Sequence, residues 1–173
     1  MALLDAVPLD GYVRRDEGGR RTGKRYRNFS RELVRPGRRD DHGLPEPWRE
    51  LVSDVLSPDY REQVSRLLEQ PPATGIEMRL VRHAPGDWLG PHTDRDDKLF
   101  SHILYFNSGW REEWGGCLEI LTSADPTSVV GRVVPRLGAS ALLAREEHSW
   151  HQVTRVCETV TESRVSLLVH GLR

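Results

Sequence analysis

From Gly75 onward the chain divides into seven short runs rich in Val, Ile and Leu, at 76–83, 100–107, 116–122, 129–135, 139–144, 151–156 and 163–172. Gly, Pro and Asp turns separate them. Runs of this length and composition read as strands. Seven of them in under 100 residues leave no room for long crossovers. They therefore predict a β-sandwich or barrel. Ahead of them the period is helical. In residues 46–72, Trp48, Leu51, Val52, Val55 and Leu56 form one stripe, and Tyr60, Val64, Leu67 and Leu68 a second. Ser57-Pro58 reads as an N-cap followed by proline at the first helical position, and Pro71-Pro72 ends the second helix. Residues 1–45 are rich in Gly, Arg and Pro and read as loop with one short strand. The expectation is an α+β chain: a single domain over 1–173, with an arm or lid at 1–45, supporting helices at 46–72 and a β core at 76–170.

Charge is unevenly spread. Residues 14–39 hold eleven Arg or Lys against three acids, a local charge of +8, while the whole 173-residue chain is −1. Such a segment suits an anionic partner, or is a solvated arm. The basic residues are confined to one arm and no aromatic stacking platform is evident, which argues against a nucleic-acid partner. No apolar run is long enough to cross a membrane. The first residues lack the basic start of a signal peptide, and Cys117 and Cys157 show no paired spacing. The expected location is the cytoplasm.

The hexapeptide HSWHQV at 148–153 contains two histidines. On a strand, residues three apart face opposite ways, so His148 and His151 do not share an ion. His148 belongs to a charged turn. In the segment LGPHTDRDD, His92 and Asp94 are two apart and share a strand face. With His151 they make two imidazoles and a carboxylate, the ligand set of open iron(II) sites. Farther on, Arg164 and Ser166 alternate along an otherwise apolar run. A guanidinium inside a barrel needs an anion, and a dicarboxylate supplies one. An arginine facing outward, or paired with an internal acid, satisfies the same pattern.

Taken in order, His92-x-Asp94, ILYFNSGWREEWGGCLEIL, SWHQV and Arg164-x-Ser166 resemble the iron(II)/2-oxoglutarate-dependent dioxygenase superfamily, in its prolyl-4-hydroxylase-like branch. The resemblance implies a double-stranded β-helix, or jelly roll. Its cofactors would be Fe(II), 2-oxoglutarate and O2, with ascorbate as an optional stimulant. His92, Asp94 and His151 match the iron ligands. Arg164 matches the residue that holds the distal carboxylate of 2-oxoglutarate, with Tyr105 and Ser166 beside it. Arg82 stands where relatives often carry a tyrosine facing the site, and is expected to bring a further cation to the cofactor. A carboxylate at Asp94 favours hydroxylation over halogenation.

The segment GKRYRNFSREL loosely resembles Arg-Tyr-Arg segments of bacterial hydroxylases of free amino acids, which makes Arg25, Tyr26 and Arg27 candidate substrate contacts. Trp88, Asp96 and Trp110 are further candidates on loops near the barrel mouth. The expected activity is hydroxylation of a small molecule such as an amino acid, in specialised metabolism. A peptidyl residue, or one bound to an acidic carrier protein, is the alternative within the class. A cupin-like metal module without redox activity is the alternative outside it. The chain is expected to be a monomer or homodimer.

Overall fold

The computed structural model describes residues 3–18 and 24–173. Residues 19–23 of the basic segment lie outside the described residues. A one-turn 3₁₀ helix, Leu3–Ala6, is followed by β1 (Val13–Gly18), β2 (Arg25–Arg35) and β3 (Arg38–Arg39). Next come α1 (Glu46–Leu56) and α2 (Pro58–Leu68). The rest is β4 (Gly75–His83), β5 (Trp88–His92), β6 (Lys98–Tyr105), a 3₁₀ turn at Glu112–Trp114, β7 (Leu118–Leu121), β8 (Val129–Val133), β9 (Ser140–Ala144), β10 (His151–Val153) and β11 (Arg164–Leu172).

The strands form one antiparallel sheet in the order β8-β7-β10-β5-β2-β4-β11-β6-β9, with β1 and β3 also paired to β2. Ile103 and Tyr105 of β6 pack with Leu118 of β7, so the two ends of this order curl towards each other around a cavity. The result is the expected jelly roll with supporting helices.

The first 45 residues depart from the loop expectation. β2 runs for 11 residues and lies in mid-sheet between β4 and β5. Its ladder to β4 pairs Phe29 with Arg82 and Ser30 with Val81. β1 is fastened as well: Arg14 donates two hydrogen bonds of 2.9 Å to the buried carboxylate of Asp87, in the turn after β4. This segment is part of the barrel wall.

Strict alternation sorts the side chains of β4 and β11. Ile76, Met78 and Leu80 of β4, with Leu167 and Val169 of β11, are buried in the outer core with Trp48, Val52, Val55 and Val64 of the helices. The intervening residues Arg79, Val81 and His83, and Arg164, Ser166, Leu168 and His170, line the cavity. The helices meet at Ser57, whose hydroxyl accepts from the Tyr60 amide at 3.1 Å as the N-cap of α2. Leu67, expected to be buried, is 75 % exposed, because α2 turns only the Val64 side inward.

Trp48 anchors the helical layer. It is fully buried, packs its ring 4.7 Å from that of Phe106 at a tilt of 49°, and donates from Nε1 to the Leu3 carbonyl at 3.1 Å. Trp48→Ala is expected to destabilise the fold by about 3–5 kcal/mol, the cost of emptying a large core site. Urea unfolding followed by circular dichroism measures it.

Candidate metal centre

β10 lies directly beside β5 in the sheet, and His151 pairs across the ladder with His92. Their rings are 4.2 Å apart. Each Nδ1 is bonded to a backbone carbonyl: His92 to Gly90 at 2.9 Å, His151 to Ser149 at 3.0 Å. The carbonyl can only accept, so each Nδ1 carries the proton and each Nε2 is left bare as a donor atom for a metal. Asp94 lies just beyond the end of β5 rather than within it, so the loop brings its carboxylate in. Its Oδ2 is 3.9 Å from His151 Nε2. One ligand atom from each of His92, Asp94 and His151 lies within 4.8 Å of the other two, and all three residues are buried. His148 is exposed in the turn before β10.

Asp94 is held by residues that the sequence reading did not single out. Lys98 Nζ donates to Oδ1 at 2.8 Å and to His170 Nε2 at 3.0 Å. His170 Nδ1 donates to Ser101 Oγ at 2.7 Å, and Ser101 donates to Asp94 Oδ2 at 2.5 Å. The four residues close a ring, and all of them are buried. Lys24 adds a contact to Oδ1 at 3.4 Å, and Arg145 Nε donates to the Asp94 carbonyl at 3.0 Å. Burial opposes ionisation of Asp94, but Lys98 and the other groups around it outweigh burial and hold its carboxyl well below the usual range. Lys98 is pushed down to about 8, by burial first. His170 is depressed by burial and then by Lys98, and stays neutral.

Along β4, β11 and β6 a second group forms. His83 pairs with Arg164, and Ser166 pairs with Tyr105. Arg164 is buried; its Nη1 donates to Ser166 Oγ at 3.1 Å and to His83 Nδ1 at 3.2 Å. Its guanidinium lies 5.0 Å from the Tyr105 ring centre. Arg164 Nε, His83 Nε2 and the Tyr105 hydroxyl are all buried without a hydrogen-bond partner among the described residues. Because Nδ1 of His83 accepts, its Nε2 carries the proton. Three orphaned donors on one strip of sheet call for a group that only accepts, and a carboxylate is such a group.

Both groups open on one cavity of about 580 Å³. Of the substrate candidates, Tyr26 lines this cavity and Asp96 sits at its rim, bonded to Arg145. The others fall elsewhere. Arg82 shares the parity of Ile76, Met78 and Leu80, so it points away from the cavity, over the Tyr12 ring at 5.3 Å; His83 takes the inward position instead. Arg25 and Arg27 alternate with Tyr26 and are exposed on the outer face, where Arg27 meets Asp16 at 3.6 Å. Trp88 lies outside the cavity under Arg155 at 5.7 Å. Trp110 is buried behind the Gly115–Gly116 turn and donates to the Gly115 carbonyl at 2.9 Å. A Cβ on Gly116, whose φ is +67°, would come within 3.1 Å of the Arg164 side chain.

An antiparallel jelly roll holding two histidines and a carboxylate beside a buried arginine defines a mononuclear metal oxygenase scaffold. Residues 78–170 match the family model described as the 2OG-Fe(II) oxygenase superfamily, and the chain belongs to that superfamily. A search of curated protein sequences gave no significant match. Among solved structures, a prolyl-4-hydroxylase from Pseudomonas putida superposes with a TM-score of 0.63 at 23% identity, over 86% of this chain and 72% of that one. A 2OG-Fe(II) oxygenase family oxidoreductase from Burkholderia pseudomallei gives 0.66 at 15%, over 98% and 75%. A Trichoplax adhaerens prolyl hydroxylase, in complex with a hypoxia inducible factor peptide fragment, gives 0.65 at 17%, over 94% and 70%. The fold is that of the prolyl-hydroxylase-like oxygenases, and the cofactors of the family are Fe(II), 2-oxoglutarate and O2.

Two outcomes test the metal centre. His151→Ala is expected to lower Fe(II) affinity at least ~100-fold, and His148→Ala to leave it unchanged, by anaerobic equilibrium dialysis. His92 is held well below the ordinary histidine value by burial, then by His151 and Lys24, and His151 is also lowered by burial. A depressed value means that protons compete with the metal only in more acid solution. Fe(II) affinity should therefore stay level down to about pH 6.5 and fall only below it; a fall already under way at neutral pH contradicts the burial of the two rings.

Proposed function

We propose that the chain is a hydroxylase of a small molecule, an amino acid or a derivative of one. In this reading His92, Asp94 and His151 hold Fe(II). Arg164, Tyr105, His83 and Ser166 hold the distal carboxylate of 2-oxoglutarate. The observation that carries the reading is the opening of both groups on one cavity, with three donors around Arg164 that have no partner among the described residues.

Iron and 2-oxoglutarate together supply the oxidation, in which O2 converts 2-oxoglutarate to succinate and CO2 while a substrate C–H becomes C–OH. The chain's own residues set the conditions. Carbonyls of Gly90 and Ser149 fix the imidazole tautomers. Lys98 and Ser101 fix the plane of the Asp94 carboxylate. Val81, Leu89, Ile103, Leu118, Val153 and Leu168 add apolar surface to an otherwise polar cavity. The cavity volume matches a cosubstrate and a small molecule held together.

Anaerobic addition of Fe(II) and then 2-oxoglutarate should give a weak visible charge-transfer band. Arg164→Gln should weaken 2-oxoglutarate binding about 100-fold with Fe(II) affinity unchanged, since it removes a charge-assisted bidentate contact. Tyr105→Phe should weaken it by about 10-fold. Succinate release in air, stimulated by free amino acids and not by peptides, supports the small-molecule reading; stimulation by peptides alone counts against it.

A further inference from the structure

Arg79 of β4 faces the cavity, four residues along the strand from His83. That spacing puts it roughly 13 Å from the Arg164 end of the cavity. It makes no hydrogen bond or ion pair with any described residue. The acids that might have answered it are engaged elsewhere. Glu32, its partner across the ladder to β2, lines the cavity too but is paired with Arg35 at 3.3 Å. Glu77 is bound by Arg95 at 3.0 Å. Asp94 is taken by Lys98. Arg79 is half-buried, and a guanidinium that faces the cavity with no carboxylate within ion-pair distance is open to a ligand that brings one. Neutral hydrogen-bonding groups from β2, Tyr26, Asn28 and Ser30, also line the cavity, and Ser30 is paired with Val81, two residues from Arg79.

We propose that Arg79 is the anchor for a carboxylate on the primary substrate, so that the oxygenase selects small carboxylic acids and holds them opposite the Arg164 site. This rests on the oxygenase reading above. Two anions then enter one cavity from opposite ends, the cosubstrate on Arg164 and the substrate on Arg79, with the His92–Asp94–His151 group available to both. The cation count supports it. Arg15, Lys24, Arg79, Arg95, Lys98, Arg145 and Arg164 line the cavity against Glu32, Asp94 and Asp96, which favours entry of negatively charged molecules.

The test uses the full chain, loaded with Fe(II) and 2-oxoglutarate without oxygen. It is titrated calorimetrically with the standard free L-amino acids, with their carboxamides, and with blocked peptides containing Asp or Glu. At least one free acid should bind about 10- to 100-fold more tightly than its own amide, the range for a charge-assisted hydrogen bond. In Arg79→Gln that preference should collapse to near unity, and Arg79→Lys should restore part of it. Affinity for 2-oxoglutarate should be unchanged in both variants, which also reports that they fold. Equal binding of acids and amides, no binding of any acid, binding of the peptides alone, or a loss of 2-oxoglutarate affinity in Arg79→Gln overturns the proposal. A wild-type chain that takes up no 2-oxoglutarate in the first titration overturns the oxygenase site itself; uptake without acid-over-amide preference overturns Arg79 alone.

Discussion

The pairing of β4 with β11 is the constraint from which the rest of the molecule follows. Nine consecutive pairs, Arg164 with His83 through Leu172 with Gly75, hold the two strands in register. Both faces of this ribbon are occupied, by different chemistry. One face is Ile76, Met78, Leu80, Leu167 and Val169 against the helices. The other carries Arg79, His83, Arg164, Ser166 and His170. Because a pleated strand shows alternate residues to opposite sides, hydrophobic burial on the outside fixes which polar groups reach the inside. The outer core and the site are thus specified by the same register.

Electrostatics inside the cavity follow from what that register admits. Asp94 is a buried carboxylate with lysines on one oxygen and a serine on the other. A buried charge is tolerated only when paired and hydrogen-bonded, and the ring through His170 and Ser101 meets both conditions. Arg164 has no such carboxylate among the described residues. It is buried against two neutral groups and an aromatic ring. One charge is completed internally, and the other carries the proposed contact to 2-oxoglutarate.

Much of this was legible in the sequence. The strand runs, the helical stripes and the Ser57 cap are local signals and survive without tertiary context. The ordered set His92, Asp94, His151, Tyr105, Arg164 and Ser166 was legible as a pattern, and the fold gathers it into two neighbouring groups. Arg82 was misread because its face was judged from its place in a family pattern. The apolar residues Ile76, Met78 and Leu80 share its parity, and that alone points it outward. The same rule applied to Arg164 yields His170. Lys98 is harder to see: the ladder is irregular between Gly171 and Leu172, and this break sets Lys98 opposite Leu172. A Cβ on Gly171 would lie 2.0 Å from the Phe100 ring, so glycine is required there. β2 escaped notice because neither of its faces is apolar over Arg25–Glu32. One meets solvent and the other a polar cavity, which hides the usual strand signature.

That last property bears on how the chain can vary. Along β2 the outward Arg25 and Arg27 interleave with the inward Tyr26, Asn28 and Ser30. Individual side chains on the outer face are free to change. Length is not, because removing one residue before Ser30 would carry the arginines inside and turn the cavity's polar wall to solvent. The segment tolerates substitution and resists deletion, the reverse of what its loop-like composition suggests.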